Sequence, residues 1–165
     1  MPDSKSMQPP LPGEEHKSLA RFAGVWRAEV RLWMDPNQPP NVSTGTMRNE
    51  MVVGGLFLQQ EYKDDSGMFE GRGFWGYNTV EQCYEGFWVD PMATFFQLEK
   101  GTHDPATDTY TMTGTMRCGP DAPPMQKRSV ITYKSDAEHT MEMYMQPPGG
   151  QEFRTLAITY TRAES

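Results

Sequence analysis

From Trp26 onward, apolar and polar residues alternate along the chain with a period of two. Trp26, Ala28, Val30 and Leu32 fall on one side, with Arg27, Glu29 and Arg31 on the other. Successive side chains of a strand point to opposite faces, so this run predicts a β-strand with one wet face. The pattern recurs. Met47 and Met51 alternate with Arg48 and Glu50 in a strand predicted over 46–53, and Leu56 and Leu58 with Gln59 and Glu61. Tyr110, Met112 and Met116 alternate with Thr109, Thr111, Thr113 and Thr115. Met141, Met143 and Met145 are set against Thr140, Glu142 and Tyr144. Arg154, Leu156, Ile158, Tyr160 and Arg162 are set against Thr155, Ala157, Thr159 and Thr161. A strand over 94–101 and one of mixed faces over 127–134 complete the set. Proline, glycine and aspartate clusters separate these runs, as at Gly54-Gly55, Asp64–Gly67, Pro120–Pro124 and Pro147–Gly150. About ten short strands joined in sequence predict an all-β, antiparallel up-and-down barrel, whose closure removes exposed edges.

One helical pattern precedes the strands. In 13–23, Glu14 and Glu15 sit in a first turn, and His16, Leu19, Phe22 and Ala23 recur at helical spacing before Gly24 ends the run. A short helix closing one end of the barrel is expected there. Residues 1–12 are polar and proline-rich and read as a disordered tail, leaving 13–165 as a single domain.

The middle of the chain, Gly71 to Asp90, reads as a hairpin turning at 79–82. Pairing Asn78 with Cys83 sets Tyr77 opposite Tyr84, Trp75 opposite Gly86 and Gly73 opposite Trp88. Each tryptophan then covers a glycine. Both faces carry aromatics, and the Trp75/Trp88 face is the favoured inner one. The glycines also imitate the dinucleotide fingerprint G-x-G-x-x-G over 71–76. That fingerprint requires a strand turning into a helix, and here a second strand follows.

Composition narrows the function. The net charge of −7 argues against nucleic acid and anionic membrane as partners. No apolar run reaches transmembrane length, and the N-terminus lacks a signal-peptide core, so the expected compartment is cytoplasmic. Cys83 and Cys118 are far apart, without metal spacing, and are expected to be reduced thiols.

Two features resemble the calycin superfamily of lipocalin-like and fatty-acid-binding-protein-like barrels. One is Gly24-Val25-Trp26 opening the first strand after a short helix; the other is Arg162 near the end of the last. In that superfamily a late arginine packs across the first-strand tryptophan, so the resemblance implies structural closure by Trp26 and Arg162. Over about 13–165 the chain resembles DUF1579, a bacterial family of unknown function. The carrying segments are 13–17 (GEEHK), 24–26 (GVW), 43–46 (STGT), 71–77 (GRGFWGY), 86–90 (GFWVD) and 158–162 (ITYTR). The resemblance implies a calycin-like barrel and brings no catalytic residue or substrate.

With Trp26 and Arg162 inward, the same faces carry Met47, Met51, Met112, Met116, Met141, Met143 and Met145, seven of thirteen methionines. Methionine is flexible and suits surfaces that accept varied apolar partners. The expected function is binding of a small hydrophobic molecule inside the barrel, against these methionines and Trp75, Tyr77, Tyr84, Trp88 and Tyr160; a closed core filled by the same residues is the alternative. Arg128 is placed inward beside Val130 and Thr132, as a receptor for a ligand carboxylate, with an exposed edge arginine as its alternative. No cofactor and no metal site are expected. Haem through His16, His103 or His139 is disfavoured because His103 and His139 flank turns and none has metal-site spacing. An enzymatic alternative rests on Glu70, Glu85, Asp90 and Glu99 near aromatics, without a nucleophile motif. A third alternative is a homodimer through Trp33 and Phe57 on the outer faces.

Overall fold

The structure, a computed structural model, describes residues 8–163. Residues 1–7 of the expected tail lie outside the described residues, as do 164 and 165; residues 8–12 are exposed and in neither helix nor strand.

The helix α1 spans Glu14–Ala20. Its start is fixed by the Gly13 backbone N–H donating to His16 Nδ1 at 3.0 Å, with Glu14 and Glu15 favourable in the first turn. It stops earlier than the sequence pattern predicts. Arg21 is the C-cap, and Phe22 and Ala23 bond back only three residues, to Leu19 and Ala20. This tighter winding turns Phe22 inward. Gly24 then takes φ of +122°, where a side chain is strained, and redirects the chain into the first strand.

Among the described residues ten strands follow: β1 (Gly24–Leu32), β2 (Asn41–Val52), β3 (Phe57–Asp64), β4 (Glu70–Asn78), β5 (Cys83–Val89), β6 (Gln97–Asp104), β7 (Thr109–Met116), β8 (Met125–Ser135), β9 (Glu138–Gln146) and β10 (Phe153–Arg162). Each pairs antiparallel with its sequence neighbours, and β1 pairs with β10, closing the barrel. β8 begins two residues earlier than expected, at Met125, and two strand starts differ by more. β2 begins at Asn41 rather than Thr46, because Leu32 to Glu29 of β1 pair with Asn41 to Thr44, a wholly exposed run with no alternation to betray it. β6 begins at Gln97 rather than Thr94, because Phe95 and Phe96 lie exposed before it.

The central hairpin has the expected register: Asn78 pairs with Cys83, Tyr77 with Tyr84, Trp75 with Gly86 and Gly73 with Trp88. Trp75 packs in one core cluster and Trp88 against another, so that face is the inner one. A Cβ on Gly71 or Gly73 would run into the Trp88 ring. The glycines are the space that the indole fills.

Trp26 and Arg162 face each other across the β1–β10 seam. The guanidinium carbon lies 4.1 Å from the Trp26 ring centroid. Its nitrogens donate to the carbonyls of Asp136, Ala23 and Arg21 at 2.5, 2.8 and 3.2 Å. One side chain therefore ties β10 to the α1–β1 connection and to the β8–β9 turn. Trp26 is fully buried and donates its indole N–H to the Phe22 carbonyl at 2.8 Å. A partly exposed guanidinium stacked on a buried indole, with its hydrogen bonds satisfied, locks this end of the barrel.

Candidate functional site

The strands run alternately toward and away from α1, so the barrel has one end covered by the helix and an opposite end, called the open end, that the helix does not cover. At the closed end Leu19 and Phe22 enter the barrel like a plug, and both are almost fully buried. The Phe22 ring meets Tyr133, Trp75 and Tyr110 at centroid distances of 5.3, 5.5 and 5.7 Å. Leu58, Tyr84 and Met112 complete this cluster. The helix end is bolted from outside by Arg21, which holds Asp108 through two nitrogens at 2.7 and 2.9 Å and stacks over Tyr133 at 4.2 Å. This bidentate pair, with His103 Nε2 at 2.8 Å, holds the Asp108 carboxyl down at about 2.

His139 points into the barrel just below the plug. Its ring stacks on Tyr160 at 4.4 Å and meets the Trp26 edge at 4.3 Å. Burial, with Arg162 nearby, pushes its pKa down to about 3, so the imidazole is neutral. Its Nδ1 has no hydrogen-bond partner among the described residues. His16, on the apolar stripe of α1, is buried as well, and of the two histidines that flank turns His139 is buried and His103 half-buried.

Toward the open end the lining changes. Val30, Trp88, Met141, Met143 and Leu156 lie on the inner face, yet all remain half-exposed. Deep in this apolar wall sits a polar cluster. Lys127 of β8 is 5% exposed and Ser129 1%, and both approach Glu99 of β6. Ser129 Oγ donates to Glu99 Oε1 at 2.8 Å, and Lys127 Nζ lies 2.7 Å from the same oxygen. Gln97 extends the cluster: its carbonyl oxygen accepts from Lys127 at 3.4 Å, and its amide donates to Asp90 at 3.3 Å. Asp90 also accepts the Trp88 indole N–H at 3.0 Å. Gly114 of β7 lies between Lys127 and β6; a Cβ there would strike the Leu98 carbonyl. Its missing side chain lets lysine and glutamate meet across the intervening strand.

The sequence-predicted residues divide between these regions. Met51, Trp75, Tyr77, Tyr84 and Met112 join the closed-end cluster. Met47, Tyr160, Trp88 and Met141 join the cluster around Trp26. Met143 lines the open half, and Met116 ends β7 at the mouth, half-buried beside Met125. Arg128 departs from the expected placement. It faces outward, holding Glu152 at 2.6 and 3.1 Å and stacking over Tyr144 at 4.3 Å. The β8 parity is set by Tyr133 and Ile131, which join the closed-end cluster, and counting back by twos brings Ser129 and Lys127 inside. A shift of one residue exchanges the faces of a strand. That parity was the available signal; a lysine on the inner face obscured it. Of the carboxylates near aromatics, Glu99 and Asp90 enter this cluster, while Glu70 is exposed and Glu85 lies on the outer face, 3.8 Å from Lys100.

One group of metal-type ligands, Glu81, Cys83 and Glu85, lies at the β4–β5 turn within 4.8 Å of one another. Lys100 lies within ion-pair distance of both glutamates, so charge balance already explains their proximity. Among the described residues no helix is long and apolar enough to cross a membrane.

A closed ten-stranded antiparallel barrel with a helical plug and a tryptophan–arginine lock defines a calycin-like protein. Residues 11–162 match the family described as "protein of unknown function (DUF1579)", and the chain belongs to that family. The fold is similar to the crystal structure of Rv2717c from M. tuberculosis, with a TM-score of 0.63 and 18% sequence identity. That alignment covers 94% of this chain and 100% of the other. A redesigned β-barrel aligns with a TM-score of 0.38 and 12% identity, over 89% of this chain and 96% of that one. None of the curated proteins matches the sequence.

Proposed function

We propose that this protein binds a small hydrophobic molecule in the open half of its barrel. One observation carries the reading: Val30, Trp88, Met141, Met143 and Leu156 in that half are only partly buried, with Met145 buried beside them, whereas the side chains around Phe22 are sealed. An apolar wall that solvent still reaches gains free energy when an apolar ligand covers it. Val30, Met141, Met143 and Leu156 form the wall, and Trp88 lies across from them. The flexible methionines tolerate ligands of differing shape. The buried ion pair points the same way. A buried ion pair contributes little net stability, and a polar contact with a ligand would give Lys127 and Glu99 a role in the lumen.

Titration with the neutral apolar dye Nile red tests the reading. Saturable one-site binding is expected, lost in Met143→Trp, which fills the lumen, and kept in Leu98→Glu on the outer surface. Binding that survives Met143→Trp and disappears in Leu98→Glu would refute it.

A second reading, self-association, is favoured by the outer face of β3–β6. There Phe57, Phe74, Phe87 and Leu98 line a groove of about 480 Å³, with Glu85 and Lys100 at its rim. A rim carrying both charges suits a second copy related by a two-fold axis. Trp33 is not part of this face; it lies under Arg154 at 4.4 Å. Light scattering that finds a monomer at all concentrations would exclude this reading.

A further inference from the structure

We infer that the polar end of the ligand is a hydrogen-bond donor, a hydroxyl or a protonated amine, received by Glu99, and that carboxylates are rejected. The inference rests on the proposed lumen binding and specifies its ligand class. It comes from the way the cluster is wired. Ser129 and Lys127 converge on one oxygen of Glu99, Oε1. Among the described residues Oε2 receives no hydrogen bond, and Glu99 keeps some exposure, its side chain being 17% accessible. The cluster therefore presents an open acceptor on a carboxylate held in place by two neighbours.

The charges facing the mouth of the lumen have the same bias. Glu99 and Asp90 carry two negative charges, and Asp64 closes the β3–β4 turn at the same end. Against them stands Lys127, already committed to Glu99 and Gln97. Of the other cations near this end, Arg128, Arg72, Arg31 and Arg154 point outward into pairs with Glu152, Glu61, Glu29 and Glu142, and Lys63 and Arg117 are exposed to solvent. A ligand carboxylate would have to displace Glu99 from Lys127 and leave a buried carboxylate beside another. Like charges at short range in a poorly solvated site repel strongly. An alcohol or an ammonium group meets the free Oε2 without breaking any existing contact, and charge assistance strengthens that bond.

Three matched twelve-carbon ligands separate the possibilities: dodecanol, dodecylamine and dodecanoate. Each is titrated below its micelle concentration near neutral pH into the full-length protein, and tryptophan fluorescence is followed through Trp88. Dodecylamine and dodecanol are expected to bind at least about tenfold more tightly than dodecanoate, a difference of about 1.4 kcal/mol. The double variant Glu99→Gln/Lys127→Met removes both charges together and avoids an orphaned ion. With folding checked by circular dichroism, it is expected to lose the preference for the amine over dodecanoate. Dodecanoate binding as tightly as dodecylamine overturns the inference while leaving lumen binding intact. So does an unchanged preference in the folded double variant. Failure of all three ligands to bind overturns lumen binding itself.

Discussion

The two ends of the barrel interior use the same strands for opposite purposes. Under α1, rings from Phe22, Trp75, Tyr84, Tyr110 and Tyr133 interlock at T-shaped or tilted angles with almost no residual exposure. At the other end the lining is aliphatic and methionine-rich, half-exposed, and interrupted by the Lys127–Glu99 pair. Dense aromatic packing gives one well-defined arrangement and most of the local stability. The open end is less completely buried: Met145, Lys127 and Ser129 are sealed there, while Val30, Met143 and Leu156 are only partly so. The contrast teaches that polarity alone does not mark a candidate site. His139 is also buried and polar, yet it is wedged among rings. Lys127 and Glu99 are buried and polar where solvent can still enter.

The contrast can be broken by substitution. Trp26→Ala removes the lock at the closed end and is expected to destabilise the protein by about 4 kcal/mol in urea denaturation. Met143→Ala in the open half is expected to cost about half as much or less. Equal losses would mean that both ends are packed alike.

Next comes the ion pair. Lys127→Met leaves Glu99 buried without its counter-charge and is expected to cost about 3 kcal/mol. Removing both charges together should recover most of that loss in the same assay. A double variant as unstable as the single one would place the pair among the stabilising elements, contrary to the division drawn above.

Acid titration sharpens the role of His139. In the unfolded chain its imidazole binds a proton below the ordinary value of 6.5, whereas in the folded barrel it stays neutral down to about 3. Between these values the unfolded state holds more protons, so stability falls as the pH falls. Thermal unfolding is expected to weaken between pH 6.5 and 4 by on the order of 2–3 kcal/mol, and His139→Phe should flatten that slope. An unchanged slope in the variant would assign the acid sensitivity elsewhere; Asp108 would contribute only below its unfolded value of about 4.

The smallest effect is expected outside the barrel. Arg128→Ala breaks a partly exposed pair with Glu152 and should change stability by less than about 1 kcal/mol, leaving Nile red binding unaltered. A lost binding signal would bring Arg128 back into the site.

Much of the architecture was legible in the chain. Period-two alternation identified β1, β7, β9 and β10 and their inner faces, except at Arg154, which a register shift before Leu156 turns outward onto Glu142 and Trp33, because a strand with one wet side records its orientation in every second residue. The tryptophan–glycine matching in the Gly71–Asp90 hairpin identified its register, since only one alignment places each indole over an empty position. The site was less legible. On β8 the inner face carries Lys127 and Ser129, so the polarity rule assigned them to water and turned Arg128 inward.

The sequence by itself therefore determined the class of fold and the inward methionines, which follow from local periodicity, while the closure by Trp26 and Arg162 came from the resemblance to calycins. Only the tertiary structure decided which half of the interior the aromatic cluster seals, and that Lys127, Ser129 and Glu99 meet. Those three stand on β6 and β8, separated by β7 and about thirty residues of chain, and come together only when the closed barrel sets its neighbours in register across Gly114.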